Sequence, residues 1–235
     1  MTLAKRRIAD DKERVGLLRR RLNDHLLTTL TILLSVLLFV IAPLQANGVL
    51  SGYHFGLAFG VILIPAAFMV SESRMAVGAI LVAIALIFTA AVIELRESSV
   101  FNSCLDAVAW LIAGVTLSAV VARAVFASGR VTYHRIIGGV LLYLTIGLTF
   151  VALFGFVVLL VPNTFNNLGS VQGNFAIGNL IYFSFVTLTT IGYGDIVPVH
   201  PYARGLANVE AIIGQLYPAT LLARLVTLEL ARRSG

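Results

Sequence analysis

The sequence predicts an all-α membrane protein, with six transmembrane helices and one shorter, re-entrant helix before the last of them. Three observations support this fold class. Hydrophobic residues make up 59% of the 235 residues and charged residues only 12%, against roughly a quarter charged in an average soluble domain. Apolar runs near the roughly 20 residues that cross a bilayer recur along the chain. A shorter apolar run is followed by the stretch TTIGYGD, which interrupts the aliphatic pattern.

Residues 1–24 form a basic segment that includes AKRRIADDKERVGLLRRR. A basic run of this kind is compatible with nucleic-acid binding. Acidic residues are interleaved with it and it adjoins an apolar run, so a short helix on the cytoplasmic surface of the bilayer is the favoured interpretation. We therefore expect the lipid bilayer, and no nucleic acid, as the partner of this segment.

Six apolar runs are candidates for membrane spans, at residues 26–44, 55–70, 75–93, 104–126, 136–161 and 205–230. The second run is the shortest. If both termini are cytoplasmic, 15 of the 17 Lys and Arg residues lie on the inner side, and only Arg96 and Arg204 lie outside. The positive-inside rule expects this asymmetry. The sequence thus predicts a multi-pass protein of the cell membrane with cytoplasmic N and C termini.

Between the last two spans, Ile177 to Leu188 is apolar but, at about twelve residues, too short to cross a bilayer. A re-entrant half-helix is the interpretation that fits this length. Non-helical backbone can follow such a helix into the membrane only where it is buried in protein or lines water. The residues from Thr190 to Gly194 are therefore expected to face an aqueous pore.

The residue types in this stretch suit the coordination of a dehydrated cation. Consecutive main-chain carbonyls of a glycine-rich strand can turn to one side if alternate residues adopt angles that side chains disfavour. Gly192 and Gly194 can supply those angles, and Thr190 adds a hydroxyl at the inner end. The preceding half-helix would direct its partially negative C-terminal end towards the pore, which favours a cation there.

The stretch TTIGYGD resembles the signature filter of the potassium channel family. The resemblance implies that four main-chain carbonyls bind K⁺, those of Thr190, Ile191, Gly192 and Tyr193. It also implies that Gly194 and Asp195 close the outer mouth, and that residues 136–230 form a pore domain of outer helix, pore helix, selectivity filter and inner helix. Ile191 stands where valine is commoner in the family, which is a conservative change.

Three residues are expected to support the filter, namely Thr189, Tyr182 and Glu210. Tyr182 and Phe183 resemble the aromatic pair that braces the filter in the family, and the Tyr182 hydroxyl is within reach of Asp195. Glu210 lies in the outer part of the last span, where an ionisable group is a functional candidate by default. It either bonds to the pore-helix backbone or, as the favoured alternative, shares a proton or a bond with Tyr182 or Thr187.

Gly214 and Pro218 are candidates for a gating hinge in the last span. Gly214 follows Asp195 by 19 positions, which matches the place of the gating glycine in the family. Pro218 cannot donate to the carbonyl of Gly214, so two helix-weakening features act on one turn. A static kink is the equally favoured alternative, because transmembrane helices tolerate such residues.

The region 25–127 supplies four helices but lacks the arginines of a voltage sensor. Moving one charge through the field yields about 2.3 kcal/mol per 100 mV, so sensors carry several arginines in the fourth span. Here that span has one, Arg123, at its cytoplasmic end. Few residues follow the last span, so we expect the trigger to act through the membrane helices, the basic segment, the filter, or a separate gating partner or ligand.

Together with the resemblance, on which the potassium selectivity mainly rests, these observations predict a passive, potassium-selective channel. One filter strand cannot encircle an ion, so we expect a homotetramer. The alternatives are a non-selective cation channel and a non-conducting regulatory subunit. A carrier subunit with four degenerate pore repeats is disfavoured by the single motif. We expect no enzymatic activity and no cofactor besides K⁺ as the permeant ion, since the sequence has no nucleophile and base pair, no phosphate loop and a single cysteine, Cys104.

Overall fold

A computed structural model describes residues 25–47, 52–69, 73–94, 100–126, 133–169 and 175–233. The predicted basic segment 1–24 lies outside the described residues. Arg96, one of the two cationic residues expected on the outer side, also lies outside them.

The described chain is almost wholly helical, as its long apolar runs predict. We number the helices α1 to α7 in chain order. Their bounds are His25–Gln45, Gly52–Met69, Arg74–Glu94, Val100–Phe126, Tyr133–Leu160, Phe175–Leu188 and Pro201–Arg233. Helix α1 contains a π-helical turn at Leu37–Ile41. Two short strands, β1 (Phe165–Asn166) and β2 (Val197–Pro198), pair antiparallel on either side of α6 in the sequence.

Five of the described helices, α1, α3, α4, α5 and α7, are long and apolar enough to cross a membrane. The apolar part of α2, His54–Met69, is shorter, and Pro65 lies within it. Six spans therefore remain a prediction that depends on this second helix. Helix α6 contains the predicted half-helix Ile177–Leu188 in full and is also too short to span.

Consecutive helices from α2 to α5 pack against one another in chain order. Small residues let α4 and α5 approach closely, which is how helices associate where lipid removes the hydrophobic drive. A Cβ added to Gly114 would lie 2.6 Å from the Thr149 hydroxyl oxygen. Beside it, the Ser118 hydroxyl donates a 3.0 Å hydrogen bond to Thr145 across the same interface.

Helix α6 is held by three helices, α1, α5 and α7. The Phe39 ring of α1 meets the Phe185 ring of α6 edge-on, with centroids 5.8 Å apart. On the other side, the rings of Phe154, Phe165 and Phe183 pack edge to face, with centroids 4.9 to 5.8 Å apart. This packing fixes the position of α6 and hence of the backbone that follows it.

Candidate functional site

In the backbone after α6, every second residue from Thr190 to Gly194 has a positive φ angle. Thr190, Gly192 and Gly194 have φ values of 59°, 57° and 79°. The sequence predicted this conformation for the two glycines. The structure adds Thr190. A β-branched residue at positive φ is strained, and it keeps that conformation only where its surroundings hold it there.

Main-chain hydrogen bonds tie residues 190–194, which we call the alternating strand, to the last turns of α6. The N–H groups of Ile191 and Gly192 donate to the carbonyl of Val186, at 3.0 and 3.3 Å. The N–H group of Thr190 donates to the carbonyl of Thr187 at 2.9 Å. Within the described ranges, no backbone hydrogen bond ends on a carbonyl of residues 190–193. The N–H groups of residues 190–192 are thus used on the helix side, and the carbonyls of residues 190–193 stay open.

Thr189 directly follows the last residue of α6. Its hydroxyl donates to the carbonyl of Phe185 at 2.6 Å, one turn back. The same carbonyl also accepts the backbone N–H group of Thr189 at 3.0 Å. This contact anchors the beginning of the strand.

Tyr182 and Asp195 lie together at the C-terminal end of the strand, as the sequence predicted. The Tyr182 hydroxyl donates to the Asp195 carboxylate, and this hydrogen bond lowers the pKa of Asp195 because it favours the charged form. The rings of Tyr182 and Tyr193 lie parallel, with centroids 6.5 Å apart. Two side chains of the predicted site thus join α6 to the strand.

Sequence reasoning missed three side chains that hold the segments beside the strand. The Asn167 side-chain amide donates to the main-chain carbonyl of Asp195 at 3.0 Å, and Asn179 of α6 donates to the carbonyl of Leu168 at 2.7 Å. The Arg204 side chain donates to the carbonyl of Pro198 at 3.0 Å. The available signal was the asparagine-rich loop PNTFNNLG, because asparagine tolerates positive φ, as Asn167 does at 62°.

Glu210 is fully buried, but its predicted partners are wrong. Its Oε1 lies 2.5 Å from the hydroxyl of Ser184, and neither Tyr182 nor Thr187 bonds to it. The same Ser184 hydroxyl lies 2.9 Å from the carbonyl oxygen of Gly147. Ser184 escaped notice because a single serine in an apolar helix is a weak signal. It joins α6 to both α5 and α7.

Gly214 and Pro218 lie within α7, which is helical without interruption from Pro201 to Arg233. A Cβ added to Gly214 would lie 1.8 Å from the carbonyl oxygen of Leu188, the last residue of α6. The Tyr143 hydroxyl of α5 donates to the same carbonyl at 3.0 Å. Close approach at Gly214 is therefore an observed property, whereas the hinge remains a prediction.

A second cluster joins the C-terminal half of α7 to α4 and α5. The Tyr217 hydroxyl donates to the carbonyl of Gly139 at 2.7 Å, and its ring stacks on Tyr143 with centroids 5.8 Å apart. The Arg224 guanidinium donates to the main-chain carbonyl of Phe126, where α4 ends. It also lies 5.6 Å from the centre of the Phe126 ring. Sequence reasoning had assigned no role to Tyr217 or Arg224.

A family model described as "ion channel" matches residues 140–229. No curated protein and no solved structure matches the chain significantly. The match begins in α5 and ends in α7, so it contains α6, the alternating strand and Glu210. The C-terminal part of this chain therefore carries an ion channel domain, which supports a channel function.

Proposed function

We propose that the protein is a passive, potassium-selective channel that conducts K⁺ through a homotetrameric pore. The observation that supports this function best is the alternating backbone at Thr190, Gly192 and Gly194. It leaves the carbonyls of Thr190, Ile191, Gly192 and Tyr193 without a backbone donor in the described part of the chain. Main-chain oxygens in series are the ligands that replace the hydration shell of K⁺ in selective filters.

A single strand offers oxygens from one side only, so four copies are needed to surround an ion. The exposure of the site agrees with this requirement. Ile191 is 55% exposed and Tyr193 70% exposed in the single chain. Helix α7 also exposes the apolar side chains of Ile212 and Leu216. Apolar surface of this kind beside a strand of open carbonyls is the surface expected to meet further copies of the chain.

The surrounding charges favour a cation. Helix α6 ends at Leu188, directly before the strand, and the C-terminal end of a helix carries a partial negative charge. At the other end of the strand, the hydrogen bond from Tyr182 keeps Asp195 ionised. Negative potential at both ends would concentrate cations along the strand, while anions would be repelled.

The test is potassium flux from the purified protein in liposomes, comparing the wild type with Gly192→Ala. No atom lies within 4 Å of a Cβ built on Gly192, so this substitution acts through its φ of 57° and not through crowding. Gly155→Ala is the matched control, because Gly155 is helical and also has open space around it. We expect the wild type and the control to show potassium flux, and barium to block it. We expect no flux from Gly192→Ala.

Two outcomes would overturn the proposal in different ways. Equal fluxes of sodium and potassium would show a non-selective cation channel. A folded tetramer that passes neither ion under any tested potential or pH would show a non-conducting subunit.

A further inference from the structure

Three helices of the ion channel domain meet at one hydroxyl group. The Ser184 hydroxyl oxygen of α6 lies 2.9 Å from the carbonyl of Gly147 on α5 and 2.5 Å from Oε1 of Glu210 on α7. Ser184 and Glu210 are both fully buried. Ser184 comes two residues before Val186, whose carbonyl holds the N–H groups of Ile191 and Gly192. This chain of contacts is therefore linked to the strand that the proposed function uses.

The protonation state of Glu210 decides which of these contacts between Gly147, Ser184 and Glu210 are hydrogen bonds. A serine hydroxyl has one hydrogen to donate, and a backbone carbonyl can only accept. An ionised Glu210 can also only accept. With an ionised Glu210, Ser184 therefore donates either to Gly147 or to Glu210. The other close contact is then between two acceptors with no hydrogen between them. With a protonated Glu210, the acid donates to Ser184 and Ser184 donates to Gly147, so both short contacts become hydrogen bonds.

The surroundings of Glu210 also disfavour a charge. Burying an ionised carboxylate without a cationic partner is very unfavourable. In the part of the chain that the structure describes, Glu210 meets the neutral Ser184 hydroxyl from α6 and interacts electrostatically with the neutral phenol of Tyr143 on α5. No Lys, Arg or His of the described residues forms an ion pair with it. Its second oxygen, Oε2, is buried and has no hydrogen-bond partner among these residues.

We propose that Glu210 is a neutral, proton-donating positioning residue: it donates a hydrogen bond to Ser184 and thereby fixes α6 between α5 and α7. Loss of this proton breaks the hydrogen bond from Glu210 to Ser184, releases α6 and stops conduction. This inference rests on the proposed channel function for its effect on flux. The protonation of Glu210 itself can be measured without any flux.

The direct test is the infrared spectrum of the wild-type protein and of Glu210→Gln in lipid at neutral pH. A protonated carboxylic acid has a carbonyl stretching band that an ionised carboxylate lacks. We expect such a band in the wild type and its loss in Glu210→Gln. If the two spectra agree in this region, Glu210 is ionised and the inference is wrong, whether or not the protein conducts.

Flux measurements test the positioning role. Glutamine is neutral and its amide can donate to Ser184, so Glu210→Gln is expected to keep wild-type potassium flux. Glu210→Ala removes one hydrogen bond and Ser184→Ala removes two, each worth about 1 kcal/mol, so flux is expected to fall roughly fivefold or more in both variants. Ser118→Ala is the matched control, because that hydroxyl also joins two helices, α4 and α5, but away from Glu210.

The pH profile separates this role from a merely structural one. The neutral acid is present at low and neutral pH and is lost as the pH rises, so the wild type is expected to lose flux in alkaline solution. Glu210→Gln has no proton to lose and is expected to keep its flux there. A tetrameric Glu210→Gln protein that passes no potassium would show that the charge is needed, and would overturn the proposal. Absence of flux from the wild type would instead contradict the proposed function, and the infrared result would still stand.

Discussion

Gly214 of α7 lies directly against the carbonyl of Leu188, the residue at which α6 ends. The position of a Cβ on Gly214 would be 1.8 Å from that carbonyl oxygen, well inside any non-bonded contact. The Tyr143 hydroxyl approaches the same oxygen from α5 and donates a hydrogen bond of 3.0 Å. The end of α6 is therefore fixed from two sides, at the point where the alternating strand begins.

The first prediction concerns Gly214→Ala. Because the new methyl group has no room, α6 and α7 must move apart, and overpacking of this kind costs about 1 to 3 kcal/mol. We expect a lower thermal unfolding midpoint in detergent and reduced potassium flux. The control is Gly205→Ala on the same helix, where a Cβ meets no atom within 4 Å.

A different result would favour the hinge. If Gly214→Ala keeps the wild-type unfolding midpoint and changes only how often the channel opens, the glycine is needed for bending and not for close approach.

The second prediction concerns acid and the outer mouth. The Tyr182 hydroxyl lowers the pKa of Asp195, so the bonded carboxylate is present above that lowered pKa and is lost as the pH falls through it. Tyr182→Phe removes the donor and should return the pKa towards its usual value. We expect the acid-induced loss of potassium flux to occur at a higher external pH in Tyr182→Phe than in the wild type.

Tyr202→Phe is the control for this titration, since Tyr202 at the start of α7 is also exposed and its hydroxyl forms no hydrogen bond with a described residue. An identical acid midpoint for Tyr182→Phe and the wild type would show that this hydrogen bond does not control the outer mouth.

The third prediction concerns Arg224, which joins α7 to the end of α4. Its guanidinium donates to the carbonyl of Phe126 and lies over that ring. A hydrogen bond to a charged group contributes about 1.5 to 3 kcal/mol, so Arg224→Gln should lower the unfolding midpoint. Arg123→Gln should not, because Arg123 is exposed. Equal midpoints for both variants would contradict a role of Arg224 in this contact.

The helices and the alternating strand were accessible from sequence because they depend on local patterns. Long apolar runs predict helices directly, and the spacing of Gly192 and Gly194 predicts two of the three positive φ values. Thr190 escaped this prediction, since nothing local makes a threonine adopt that conformation. Its geometry follows from hydrogen bonds between the strand and the end of α6, which depend on how the chain turns there.

The partner of Glu210 was out of reach for a related reason. Ser184 and Glu210 are 26 residues apart, and their contact depends on how α6 rotates about its axis against α7. Burial alone predicted that Glu210 needs a polar neighbour, and Tyr182, Thr187 and Ser184 are all polar residues of α6. Packing of Phe183 and Phe185 on opposite sides decides which of them faces α7.

The most direct test of the channel proposal is the reversal potential of single channels in a planar bilayer, with potassium on one side and sodium on the other. A filter of main-chain carbonyls from Thr190 to Tyr193 predicts a reversal potential close to that of a membrane permeable to potassium alone. Barium should block these currents, and Gly192→Ala should abolish them. A reversal potential near zero in this gradient would mean that sodium passes as readily as potassium, and would contradict the potassium selectivity proposed for this site.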